Sequence, residues 1–247
     1  MIARLTLVSI VIGWLSLTTV QAKPVTVVSL NPCFDAWLPQ WLPNDWEIIP
    51  TTAHGNRLEQ VLLAQPDYVV YGTFTHGRLV NQLARHTQMV LVEQPQTWAQ
   101  WQRTVAEAAT EMAITERGQA WLEQQQDQLS QLTNMEQSVL VLMPNQYAWG
   151  GASWLAQLFA KQQIQWISLH QDLVLYQLNL EQLLKLNPEL IVLEGFAKPY
   201  ARANDWLWHS ALTPWLQQRQ VRSIPTAVSG CPATRAVDYL QAVIGEP

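Results

Sequence analysis

Short apolar runs alternate with amphipathic stretches along most of this chain. Residues 25–30 (Val-Thr-Val-Val-Ser-Leu) form a β-branched run typical of a buried strand. Similar runs at 46–49, 68–71 and 89–92 predict three more strands. Between them, 34–42, 57–64 and 76–85 place apolar residues at helical spacing, with Asn56 as an N-cap and 51–56 as a polar loop. Strands and helices that alternate over such short connections predict a parallel sheet covered on both faces. The pattern then changes. No strand signal occurs over 97–132, where Trp98, Trp101, Val105, Ala108, Ala109 and Met112 mark one helix. Trp121, Leu122, Gln125, Leu129 and Leu132 mark a second, which is Gln-rich on its outer side. This middle reads either as two surface helices or as a long helical bridge. Alternation resumes with strands at 138–142, 165–168, 190–193 and 221–224 and helices at 152–161, 180–186 and 232–244. The stretch 205–218 reads as mostly helical with a break near Pro214, and 144–151 and 195–204 read as loops.

A repeat lies inside this pattern. Leu58-Glu59-Gln60-Val61-Leu62-Leu63-Ala64-Gln65-Pro66-Asp67 returns 122 positions later as Leu180-Glu181-Gln182-Leu183-Leu184-Lys185-Leu186-Asn187-Pro188-Glu189. Each copy runs from a helix through a Pro turn into a strand. Two copies of one unit predict two α/β lobes on one plan, with a cleft between them suited to holding a ligand. The predicted boundaries are 1–22 for a leader, 23–96 for the first lobe, 97–134 for the bridging helices and 135–247 for the second lobe.

Composition narrows the picture. Residues 1–22 combine Arg4, an apolar run over 5–17 and Val20-Gln21-Ala22, the pattern of a cleavable secretory signal peptide. The run is shorter than the roughly 20 residues of a membrane span. The formal net charge is −5, which argues against nucleic acid or an anionic membrane as partner. Trp is abundant, with 13 residues, and any one of them is more readily core than ligand contact. Only two cysteines occur, Cys33 and Cys231, near opposite ends of the chain. Export to an oxidising compartment favours their pairing, and two separate buried thiols are the alternative.

The order of parts resembles the periplasmic substrate-binding proteins of ABC importers for vitamin B12, ferric siderophores and haem (class III). The likeness rests on Val-Val-Ser-Leu-Asn-Pro-Cys near the start, the two Leu-Glu-Gln units and Ser-Gly-Cys-Pro before the last helix. It implies two lobes with parallel sheets joined by a long stiff helix, and small lobe closure. It also implies a monomeric carrier in the periplasm that delivers a corrinoid or iron chelate to an inner-membrane permease and its ATPase. Glu59 and Glu181 match the glutamates that contact permease arginines in the vitamin B12-binding relatives. A structural alternative stands beside this, because an acid in a first helical turn is favoured by the helix dipole. The tyrosine- and proline-rich segment of some relatives is missing between the first strand and the repeat.

In open α/β sheets a ligand sits beyond the carboxyl ends of the strands. The loops predicted there carry Asn31, Asp35, His54, Phe74, Tyr147, Trp149, Gly150, Phe196 and Tyr200 as ligand-binding candidates, with Trp206 or Trp208 at the rim. Gly150 and Gly151 would let backbone approach a ligand. A tri-catecholate chelate would call for converging arginines, for which Arg78, Arg202 and Arg235 are available. The five histidines are scattered, so no resident metal site or cofactor is expected. A secreted hydrolase using the cleft is the rival reading, although no G-x-S-x-G elbow or Ser–His–acid set is present. The reading is therefore a binder and not an enzyme.

Overall fold

A computed structural model describes residues 23–133, 135–196 and 202–245. The predicted leader and Tyr200 lie outside the described residues. The first lobe runs β1 (Thr26–Ser29), α1 (Pro32–Trp37), β2 (Glu47–Ile49), α2 (Thr51–His54), α3 (Leu58–Leu63), β3 (Tyr68–Gly72), α4 (Gly77–Leu83) and β4 (Gln88–Val92). Its sheet is parallel throughout, in the order β2-β1-β3-β4. Alternate residues of the central strands serve opposite faces. Val27 and Val70 join the large core, while Val28 and Val69 pack with Val61 and Leu83. The predicted loop at 51–56 is a helical turn followed by Gly55 and Asn56, both with positive φ. Arg57, not Asn56, occupies the cap of α3.

The middle of the chain is two helices, α5 (Trp98–Glu111) and α6 (Thr115–Gln131). Thr97 and Gln100 close a capping box on α5. The helices pack closely at Gly118, where a Cβ would stand 2.4 Å from that of Ala109. α6 is the bridge. It is about 25 Å long at 1.5 Å per residue. On the first-lobe side, Arg117 Nη1 donates to Leu42 O (3.0 Å) and Trp121 Nε1 to Gln40 Oε1 (3.3 Å).

The second lobe runs β5 (Ser138–Met143), β6 (Tyr147–Trp149), α7 (Trp154–Lys161), β7 (Gln165–Trp166), β8 (Leu175–Gln177), α8 (Leu180–Lys185), β9 (Leu190–Glu194), α9 (Leu212–Gln217), β10 (Gln220–Ile224), α10 (Thr226–Ser229) and α11 (Ala236–Ile244). A 3₁₀ turn covers Arg202–Trp208. α6 also packs on α11 of this lobe. The sheet order is β10-β9-β5-β6-β8, with β7 also on β5. This sheet is mixed, not wholly parallel, because β6 and β8 run antiparallel. The predicted loop at 144–151 therefore contains a strand. Pro144 opens a tight turn in which Asn145 and Gln146 take positive φ, and the chain folds back on β5.

The repeat makes the same backbone clip in both lobes. Thr26 N donates to Asp67 Oδ2 (2.8 Å) while Asp67 N donates to Thr26 O (2.9 Å). Ser138 N donates to Glu189 Oε2 (2.8 Å) and Glu189 N to Ser138 O (3.0 Å). In each lobe the acid after the Pro thus clips the start of a central strand, so α3 and α8 enter their sheets through the same turn although the two sheets differ in strand number and direction.

One apolar core passes through both lobes, from Val27 and Val70 to Val139 and Val192. Its centre is a run of indoles. Trp37 lies 5.4 Å from Trp101, Trp101 lies 6.5 Å from Trp154, and Trp154 stacks on Trp98 at 5.8 Å. These rings join α1, α5 and α7, so the junction of the lobes accounts for a large part of the Trp content.

Candidate functional site: the cleft between the lobes

The carboxyl ends of β1, β3 and β4 open onto a cleft of about 430 Å³. Its first-lobe wall is Asn31 to Phe34, Gly72 to His76 and Glu93 to Pro95, and its second-lobe wall is Gly230 to Thr234. The floor is apolar, with Leu30, Val92 and Trp101. A further recess of about 270 Å³ continues from it past Phe74 and Pro232 to Trp149, Trp154 and Val174. Together they are large enough for a small-molecule ligand.

Local chemistry explains each wall. Asn31 is extended and caps α1, its Oδ1 accepting from Cys33 N at 2.9 Å. Thr75 Oγ1 accepts from Gly72 N (3.2 Å) and Thr73 Oγ1 from Gln94 N (2.8 Å), which ties the loops after β3 and β4 together. Phe74 at the tip is 88% exposed, an unusual state for a ring that size. Val174, which lines the recess, is exposed, as are Leu169, Leu173 and Leu175 of the same segment. Cys33 and Cys231 are disulfide-bonded, and both line the cleft.

Several predicted site residues stand elsewhere. His54 is buried at 2% exposure, with Nε2 on Ser29 O (3.0 Å) and Nδ1 accepting from Asn56 N (3.0 Å). Burial pushes its pKa down, against the pull of the Ser29 carbonyl and Asp35. It serves the fold, because 51–54 is helical and turns the ring under β1. Asp35 caps that same turn, accepting from Thr51 N (3.1 Å) and Thr51 Oγ1 (2.5 Å). Gly150 is small for the sake of the chain itself. A Cβ there would fall 2.0 Å from Leu173 O, and its N–H donates to Val174 O. Tyr147 is on β6, outside the cleft lining, and Phe196 packs edge-on against Trp206 at 6.4 Å. Asn31, Phe74 and Trp149 do line the cleft or its recess. His76 also lines it. Glu93, Gln94 and Pro95 were not anticipated, although they follow β4 and obey the same strand-end rule.

Behind the recess lies a buried acid. Glu194, at the end of β9, is 3% exposed. Trp149 Nε1 donates to its Oε2 at 2.8 Å and the Tyr239 hydroxyl donates to its Oε1. Burial pushes its pKa up to about 7, and the two hydrogen bonds pull the other way. Tyr239 is raised well above its ordinary value, by burial first and then by Glu194. Trp149 is therefore a cleft ring oriented by an acid that titrates near neutrality.

Among the described residues lining the cleft and its recess, Glu93 and His76 are the only titratable side chains outside the disulfide. Arg78 and Arg202 do not line it, and Arg235 pairs with Asp238 at 2.6 Å in a different groove. That groove, about 610 Å³ between α6 and α11, is lined largely by glutamines. It lies away from the strand ends. No cluster of three metal-ligating side chains occurs among the described residues. Among the described residues, no cleft hydroxyl is hydrogen-bonded to His76 or Glu93. Glu59 and Glu181 sit exposed in the first turns of α3 and α8.

No protein-family profile matches the sequence, and no curated relative is found by sequence similarity. Solved structures are similar in fold. A periplasmic haem-binding protein of Vibrio cholerae aligns with a TM-score of 0.68 at 12% identity, over 90% of this chain and 99% of its own. A possible iron-binding, periplasmic solute-binding protein of Staphylococcus epidermidis aligns at 0.67 and 12%, over 91% and 98%. The periplasmic vitamin B12-binding protein of Vibrio cholerae aligns at 0.57 and 16%, over 89% and 95%. With its two helix-linked α/β lobes and the cleft between them, this chain has the fold of the class III periplasmic solute-binding proteins.

Proposed function

We propose that the protein is the periplasmic solute-binding component of an ABC importer, and that its ligand is a bulky, flat, weakly charged metal chelate, a corrinoid before a ferric siderophore. The observation that carries this reading is the ligand-sized cleft between two lobes that repeat one helix–strand unit, each presenting an exposed glutamate at the same helical position. Structures of the same fold bind haem and vitamin B12, which supports the ligand class. The lining favours a corrinoid within it. Phe74, Trp149 and Val174 offer apolar contact, and no Lys or Arg among the described lining residues is available to neutralise a tri-catecholate. His76 lines the cleft and is exposed, which makes it the candidate to contact a metal centre carried by the ligand. The signal peptide would place the carrier in the periplasm, and a permease with its ATPase would do the work of transport.

The glutamates test the transport half of this reading. Each is exposed, so Glu59→Ala with Glu181→Ala removes charge without opening a cavity. The expected outcome is unchanged ligand affinity by calorimetry and loss of uptake in a complemented strain. Uptake equal to wild type would remove the docking role.

A further inference from the structure

Two covalent paths join the lobes. One is the chain itself, through α5 and α6. The other is the disulfide between Cys33, in the first turn of α1, and Cys231, between α10 and α11, 198 residues apart in sequence with Cα atoms 5.3 Å apart. A helix connection alone leaves two bodies free to bend and twist about it. A second attachment point leaves one rotation, about the line through the two points.

The disulfide's position says what that rotation does. Both cysteines line the ligand cleft, and the segment that follows Cys231 separates it from the glutamine-lined groove. Thr234 touches both spaces. Opposite it the division is the buried layer of Trp37, from the first lobe, with Trp101 and Trp121 of the bridging helices, Trp101 facing the cleft and Trp121 the groove. Rocking about this layer must take volume from one space and add it to the other. The groove is suited to that exchange. Gln124, Gln128, Gln131 and Gln241 line it, and primary amides that separate are rehydrated, whereas an apolar seam would resist parting at roughly 25 cal/mol per Å².

We propose that the Cys33–Cys231 bridge is the pivot of the binding cleft. It fixes the spacing at the cleft wall and confines lobe motion to a rocking in which the cleft narrows as the glutamine groove widens. This holds whatever ligand the cleft takes, so it stands or falls apart from the corrinoid reading.

The test is a distance measurement across the mouth of the cleft. Nitroxides are attached through p-acetylphenylalanine at Arg78 and Asp172, exposed positions on the two lobes that line neither space. The oxidised protein should give one narrow distribution. Cys33→Ser with Cys231→Ser, or phosphine reduction of the folded protein, should broaden it about twofold. Gln131→Trp, which fills the groove and leaves the disulfide alone, should shorten the mean distance in the oxidised protein. Equal widths with and without the bridge, in samples that keep a native circular-dichroism spectrum, would overturn the pivot. So would a Gln131→Trp distance that is unchanged or longer.

Discussion

Trp101→Ala is expected to lower the unfolding free energy by about 3–5 kcal/mol, the usual cost of truncating a buried Trp to Ala. The ring is 1% exposed. It lies within 5.4 Å of Trp37, 6.2 Å of Trp121 and 6.5 Å of Trp154, so its loss leaves three other rings facing a void. Because Trp101 also lines the cleft floor, that void opens toward solvent and fills with water where an apolar surface stood. Set against a total of roughly 5–15 kcal/mol, this is a large share of the stability of a chain this size. A urea titration followed by circular dichroism reads it as a drop in midpoint. Trp208→Ala is the control: that ring is 68% exposed and its removal should change stability by under about 0.5 kcal/mol. Equal effects at the two positions would contradict the placement of the interlobe core.

Glu194 is expected to make stability fall as pH rises. Its pKa moves from 4.5 to about 7 on folding, because burial disfavours the carboxylate more than Tyr239 and Trp149 favour it. The folded protein therefore holds a proton that the unfolded chain releases near 4.5. That contribution is fully present below 4.5 and is lost as pH rises through 7, a span of about 3 kcal/mol at 1.36 kcal/mol per unit. His54 acts in the opposite sense, since its lowered pKa costs stability as pH falls. The informative quantity is the difference between wild type and Glu194→Gln. A glutamine oxygen still accepts from Trp149, and its amide donates to the Tyr239 oxygen. The variant should match wild type within about 1 kcal/mol at pH 4.5 and exceed it by about 3 kcal/mol at pH 8. Parallel curves over this range would show that Glu194 does not hold its proton on folding.

The lobes were legible in the sequence because their signals are local. Helices α3 and α8 share their opening Leu-Glu-Gln and their apolar pattern, and the post-Pro acids Asp67 and Glu189 do one job in both. The mixed second sheet was not legible. β6 and β8 have three residues each, and they pair across a gap of about 25 residues that no periodicity spans. The site was legible only as a set of loops. The strand-end rule leads to Asn31, Phe74 and Trp149, and it applies equally to Glu93 and Gln94. It cannot tell a ring that faces a ligand from one that serves the chain. His54 and Asp35 occupy such a loop position, yet a helical turn directs both toward the fold. Gly150 shows the same limit, since the backbone it admits is Leu173 and not a ligand.

The measurement that bears most directly on the account is a titration of the purified protein, followed by intrinsic Trp fluorescence and calorimetry, with cyanocobalamin, haemin, a ferric trihydroxamate and a ferric tricatecholate. The account predicts saturable one-to-one binding of cyanocobalamin, weakened about tenfold by Phe74→Ala, and weak or no binding of the tricatecholate. Preferential binding of the tricatecholate, or saturation by none of the four, would contradict it.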